Sequence, residues 1–247
     1  MRSLTFGVTL AVACATLVPA SLRATTADEA LVKKLAPSML ALTRLIAAEK
    51  FAPRMDELIQ RAPNAEALGA KWTSTLPAFQ KARTAVSSRV TKVVDLYAAS
   101  DELPGLLRKE LDSYYPGPAS AGLSTTLNGP TGPAVIYAGA RGEFALAMMA
   151  ANPDGPKVGD PAWMKQLGAL MKTFADRIGP AVPAPDAAAL KDAEAFLNSD
   201  KGSKFTQLWM SVIDRAMNDL DTGIQLMIFD NRDVIMKEIN AAIATVK

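Results

Sequence analysis

Four polar residues in this chain have the type and spacing to attempt chemistry. Asp214, Asn218 and Asp221 recur every three to four residues, so one helix face would carry them together, and Glu143 stands alone beside the apolar run Phe144 to Met149. Paired carboxylates act as general acid and base in glycoside cleavage when two environments hold them at different proton affinities within one cleft. A solvated polar face is the favoured reading of the trio, and a commonplace glutamate in a helical first turn that of Glu143. Asn152, Asp154 and Asp160 suggest calcium, but the loop lacks the alternating rhythm and closing glutamate of an EF-hand and reads as turn chemistry. Met148, Met149, Met164 and Met171 suggest a thioether copper site. At helical spacing among Leu, Phe and Trp they read as core.

What the chain lacks narrows the chemistry further. It contains no histidine and a single cysteine, Cys14. Histidine-based triads, thiol nucleophiles and zinc sites of His or Cys are thereby excluded, and catalysis would rest on carboxylates, Lys, Tyr, Ser or Thr. Gly139-Ala140-Arg141-Gly142 follows no strand and precedes no Lys-Ser/Thr, so it is not a phosphate loop. Two close glycines there allow tight helix packing or a kink. No cofactor is expected. Lys and Arg number 27 against 25 Asp and Glu, in pairs no longer than Lys33-Lys34 and Arg108-Lys109, which argues against a nucleic-acid partner.

Residues 1–20 read as an export signal. Arg2 supplies the positive start, Leu4 to Val18 the apolar run and Val18-Pro19-Ala20 a small-residue cleavage site, with alternatives after Ala24 or Ala27. Cleavage after Ala20 leaves 26 basic and 25 acidic residues and no cysteine, so disulfides are impossible. A lipoprotein cut at Cys14 is the minority reading, because Ala11 replaces the usual leucine. No later segment reaches the roughly 20 apolar residues of a membrane-spanning helix. The expected location is periplasmic or secreted.

The elements that would position any site are helical throughout. Hydrophobic residues make up 49% of the chain, ample for a core. The dominant element runs from Ser199 to Phe229, where Phe205, Leu208, Trp209, Val212, Ile213, Ala216, Met217, Leu220, Ile224, Met227 and Ile228 form one broad apolar stripe. Upstream, residues 28–115 form an N-terminal helical region. A first helix over Asp28 to Phe51 is expected to kink or split at Pro37, and Pro53 to open a separate short helix over Arg54 to Arg61. Helical material at Ala65 to Trp72, a longer helix over Thr75 to Ala98 and one capped by Ser100 follow. Residues 116–133, rich in Pro and Gly, read as a long irregular connection between two helical halves. Residues 134–247 resume with helices over Ala134 to Ala150, from Asp160-Pro161 to Ile178, and from Asp186 to Leu197. Asp230 and Asp233 are placed as cap and first-turn acid of a last helix to Val246. The fold class is all-α, a bundle of about eight to ten helices.

Two turns are alike. Leu127-Asn128-Gly129-Pro130-Thr131-Gly132 and Leu197-Asn198-Ser199-Asp200-Lys201-Gly202 share Leu, Asn and the last Gly. Gly129 or Ser199 is placed as the cap, and the glycine at the third helical position implies close approach of the preceding helix, where a Cβ would clash. The likeness leaves internal duplication and shared turn chemistry both open.

Residues 186–220, with Leu190, Phe196, Ser199, Gly202 and Phe205 ahead of the long helix, resemble the core motif of the 2059 family of domains of unknown function. The mark of that family is an aromatic-x-Ser-Pro-x-Gly turn between two helices. Here Leu197-Asn198 lies between Phe196 and Ser199, and Asp200 stands in place of the proline; the region near 127–150 would be a degenerate second copy. The resemblance implies a small, exported, all-helical domain and supplies no catalytic residues.

The leading functional expectation is a non-enzymatic exported module that binds an envelope protein or a hydrophobic segment. One alternative is a binder of lipid or another apolar small molecule, which requires the stripe at Trp209, Met217 and Met227 to remain partly uncovered as a groove. The other is a carboxylate-dependent envelope hydrolase, which requires an acidic pair, with Glu143 or Asp214, facing one cleft.

Overall fold

The computed structural model describes residues 26–152, 155–156, 160–179 and 181–246. The export signal, its cleavage sites after Ala20 and Ala24, Cys14 and Asp154 lie outside the described residues; the alternative after Ala27 falls in the first turn of the first helix. Within them the chain forms nine α-helices and no strand: α1 (Thr26–Gln60), α2 (Pro77–Ala99), α3 (Glu102–Tyr114), α4 (Pro118–Asn128), α5 (Gly132–Ala150), α6 (Pro161–Ile178), α7 (Ala187–Leu197), α8 (Asp200–Asp230) and α9 (Arg232–Ile243). The helical material expected at Ala65 to Trp72 is a short 3-10 helix, Glu66–Lys71. The all-α bundle is as the periodicity indicates.

The boundaries follow local chemistry where a side chain can state it. Asp160, Asp186 and Ser199 each accept a hydrogen bond from a first-turn N–H, of Ala162 at 2.8 Å, Ala189 at 2.8 Å and Gly202 at 3.2 Å. The apolar side of α2 is as spaced, with Phe79, Ala82, Val86, Val90 and Val94 all buried. The Ser100 hydroxyl lies 3.3 Å from the Glu102 N–H, although the residue flanking α3 is Asp101.

Three expectations are corrected. Helix α1 is continuous for 35 residues through both Pro37 and Pro53, with no split and no separate short helix. Both prolines are exposed, while Leu31, Leu35, Met39, Leu42, Ile46, Phe51, Met55 and Ile59 are buried along its length. Burial worth about 1.5–3 kcal/mol per large apolar side chain outweighs the roughly 3 kcal/mol of each interior proline. Residues 116–133 are not irregular. Gly117, in the left-handed region at φ 56°, turns the chain, and Pro118 opens α4 from the position where a missing N–H costs nothing. Finally, Asp230 ends α8 and Asn231 links it to α9, with Asp233 in the first turn as expected.

The two helical regions on either side of residues 116–133 share one hydrophobic core. Helix α1 packs on α2 and α3 and equally on α5, α6 and α8; α8 is covered by α2, α3, α5 and α7. Helix α5, ringed by α1, α4, α6, α7 and α8, is buried at almost every position from Ala134 to Ala145.

Candidate functional site

The fold brings together two of the four polar residues singled out above. Gly139 on α5 admits the indole of Trp209 from α8: a Cβ at Gly139 would sit 3.2 Å from Trp209 Nε1. One turn further along α5, Glu143 is 5% exposed and its Oε2 has no hydrogen-bond partner among the described residues. Burial pushes its carboxyl up to about 7, and the carboxylate of Asp214 on α8 adds to the rise. Asp214 and Asn218 are exposed, and Asp221 faces elsewhere, pairing with Arg54 and accepting from Gln225 at 2.9 Å. Glu143 and Asp214 therefore share a field without sharing a cleft. Sealed in the helix interface, Glu143 can hold a proton at neutral pH, but no substrate reaches it in this arrangement.

A second buried glutamate shows the opposite solution. Glu110 on α3 accepts from the Ser211 hydroxyl at 2.8 Å and pairs with Arg215 at 3.1 Å, both from α8. Its charge is matched, and it locks α3 to α8.

The groove expected at Trp209, Met217 and Met227 is absent. Trp209 is 0% exposed and packs edge-on against Phe205, with ring centroids 6.2 Å apart; Met217 is buried and Met227 half-buried. The stripe is broad because α1, α2, α3, α5 and α7 all pack on it, and the part around Trp209 and Met217 is closed to a ligand. The turn motif is built as its residues indicate: Ser199 caps, Phe205 is in the core, Phe196 is half-buried, and a Cβ on Gly202 would lie 2.0 Å from the Phe196 carbonyl oxygen. Gly132 is equally constrained, 1.9 Å from the Leu127 carbonyl oxygen, but there Thr131, not Gly129, flanks the helix start. No cluster of three or more His, Cys, Asp or Glu side chains with metal-binding geometry occurs among the described residues. Met148 lies in the core and Met164 is exposed, so these two sulfurs do not face one site.

An open concavity lies elsewhere, where the C-terminal end of α1, the last turns of α8 and the start of α9 meet. It encloses about 670 Å³, within the size range of small-molecule sites. Leu58, Ile228, Ile235 and Met236 supply apolar walls, and Phe229 stands beside them 78% exposed. Arg54, Arg61 and Arg232 line it against a single acid, Glu57. Arg61 is held by Glu57 at 2.7 Å and Arg54 by Asp221; Arg232 forms no ion pair among the described residues. Sequence periodicity missed this site because it is assembled from three helix ends. The available signal was Phe229, an aromatic one place past the end of the regular stripe.

No family model, curated protein or solved structure matches the chain. Function therefore rests on the site itself.

Proposed function

We propose that this protein is a non-enzymatic binding module of the cell envelope that takes an anionic amphiphile, a long-chain carboxylate or a lipid of like charge, in the groove between α1, α8 and α9. The observation that carries the reading is the pairing of an apolar floor with three guanidinium groups at one concavity. A guanidinium matches a carboxylate or phosphate in charge and in planar geometry, and the apolar walls suit an acyl chain. The exposed Phe229 ring gains from being covered, whereas in water it is a standing cost. The export pattern of residues 1–20 supports the envelope location. No helix among the described residues is long and apolar enough to cross a membrane.

The test is calorimetric titration of the purified chain with oleate below its aggregation concentration, beside oleyl alcohol as the uncharged control. The expected result is saturable binding of oleate, weakened about tenfold or more, about 1.4 kcal/mol, by the double substitution Arg54→Ala with Arg232→Ala. Phe229→Asp is expected to abolish it with the thermal midpoint unchanged, because the side chain supports nothing in the core. Absence of saturable oleate binding, or equal binding of the alcohol, would overturn the reading.

A further inference from the structure

A second cavity lies at the other end of α8, at the turn whose motif the proposed groove does not use. It encloses about 380 Å³ between the end of α3, helix α4 and the α7–α8 turn. Its walls are apolar and aromatic, with Tyr114, Tyr115, Leu123 and Phe196 among them. These walls are held in place. The Tyr115 hydroxyl donates to the Lys201 carbonyl at 2.9 Å, tying the end of α3 to the first turn of α8, and Phe196 packs edge-on against Phe205 at 6.4 Å.

The charges at this cavity are unbalanced. Lys201 and Lys204, three residues apart on one face of α8, both line it, and neither forms a salt bridge among the described residues. The one acid in the lining is Asp200, also unpaired there, so a single positive charge remains. The end of the helix is not itself the attraction, since the Ser199 hydroxyl already accepts the Gly202 N–H. The recognising groups are the two ammoniums and the ring faces.

We infer that this cavity is a second ligand site, distinct from the α1–α8–α9 groove, and that it takes a small aromatic anion. The ring would lie among Tyr114, Phe196 and Leu123, and the anionic group would meet Lys201 and Lys204. Aromatic walls favour a flat ring over a flexible chain, because ring contacts add offset or edge-on attraction to the burial of area. The volume, little more than half that of the groove, selects against a long acyl chain. Lys201 and Lys204 are both exposed, so their attraction for the anion adds to the ring contacts and falls as salt is raised.

Gly122 makes the test clean. It lines the cavity in the middle of α4, and a Cβ built on it meets nothing within 4 Å. Gly122→Leu therefore obstructs the cavity from one wall without a backbone clash while improving helix propensity. The probe is 2-naphthoate, titrated by calorimetry and by saturation-transfer NMR on the purified chain, beside neutral 2-naphthylmethanol. Expected are saturable one-to-one binding of naphthoate, at least tenfold weaker binding of the alcohol, at least tenfold loss in the double variant Lys201→Ala with Lys204→Ala, and no binding to Gly122→Leu at an undiminished thermal midpoint. Naphthoate should bind Phe229→Asp as tightly as the parent, and oleate should bind Gly122→Leu unchanged, which separates this site from the groove. No saturable binding of naphthoate to the parent, equal affinity for the alcohol, or full affinity in Gly122→Leu would overturn the assignment.

Discussion

A buried carboxyl group without a hydrogen-bond partner favours its neutral form, and Glu143 meets that condition beside the negative Asp214. Its pKa rises from 4.5 to about 7 on folding, so the native state binds the proton more tightly than the unfolded chain. The contribution to stability is full below about pH 4.5 and is lost as pH rises through about 7. The linkage amounts to about 3 kcal/mol over that interval. With no histidine in the chain, no side chain has its ordinary pKa between pH 5 and 8, and the Glu143→Gln comparison assigns the slope to this residue. Urea denaturation of the parent at pH 5, 6, 7 and 8 is expected to show stability falling with pH; Glu143→Gln is expected to flatten the profile and to exceed the parent at pH 8. A parent profile flat over this range would refute the account. The sequence singled out Glu143 and Asp214 because carboxylates are visible as letters. It could not show that one would be buried in the helix interface while the other stayed in water, since that depends on which neighbours cover each helix face.

At the scale of the element, the close approach that requires a glycine was legible in both turns, but the helix position was right only for Gly202, since Gly132 opens α5 and is not its third residue. The third-position glycine was expected wherever the preceding helix approaches too closely for a Cβ, and Gly202 meets the Phe196 carbonyl oxygen at 2.0 Å and the Leu197 Cα at 2.5 Å. Both are backbone atoms, so the clash can be relieved only by moving a helix. Gly202→Ala is expected to cost about 3 kcal/mol or more and to lower the thermal midpoint by several degrees. Gly168→Ala, in the middle of α6 with nothing within 4 Å of its Cβ, is expected to gain about 0.5–1 kcal/mol from helix propensity alone. Thermal scans of the two variants against the parent check the sign of each. Equal midpoints for Gly202→Ala and the parent would remove close approach as the reason for the glycine. The caps at Asp160, Asp186 and Ser199 were legible for the same local reason, because cap and first-turn N–H are neighbours in the chain. Continuity of α1 through Pro37 and Pro53 was not, because the force holding it together is burial against distant helices. Helix α4 was hidden by its composition. Its Pro118 and Gly117 serve to start a helix, and the apolar Leu123 and Leu127 between the glycines are too few to announce one.

At the scale of the molecule, the long apolar stripe that promised a groove became the centre of the core, and the two concavities proposed as ligand sites lie where helices end. This follows from cooperativity. A stripe of eleven apolar residues is too costly to leave in water at about 1.5–3 kcal/mol for each large side chain, so the bundle closes over it from several sides. The groove beside Phe229 is lined from the ends of α1 and α8 and the start of α9, and the cavity beside Phe196 from the end of α3, from α4 and from the α7–α8 turn. The covering of α8 comes from both parts of the chain, α2 and α3 before residue 116 as well as α5 and α7 after it. The N-terminal α3 also supplies Glu110, the partner of Ser211 and Arg215. A fragment of residues 134–247 would bare one side of the stripe and leave Arg215 without its carboxylate. It is therefore expected to show no cooperative thermal transition, to bind an apolar dye, and to lack the near-ultraviolet dichroism that a fixed Trp209 gives the whole chain. The whole chain is expected to unfold in one step monitored identically by far- and near-ultraviolet dichroism. A fragment that melted sharply with native near-ultraviolet signal would mean that the two helical regions fold separately, and that the shared core is an interface between two domains.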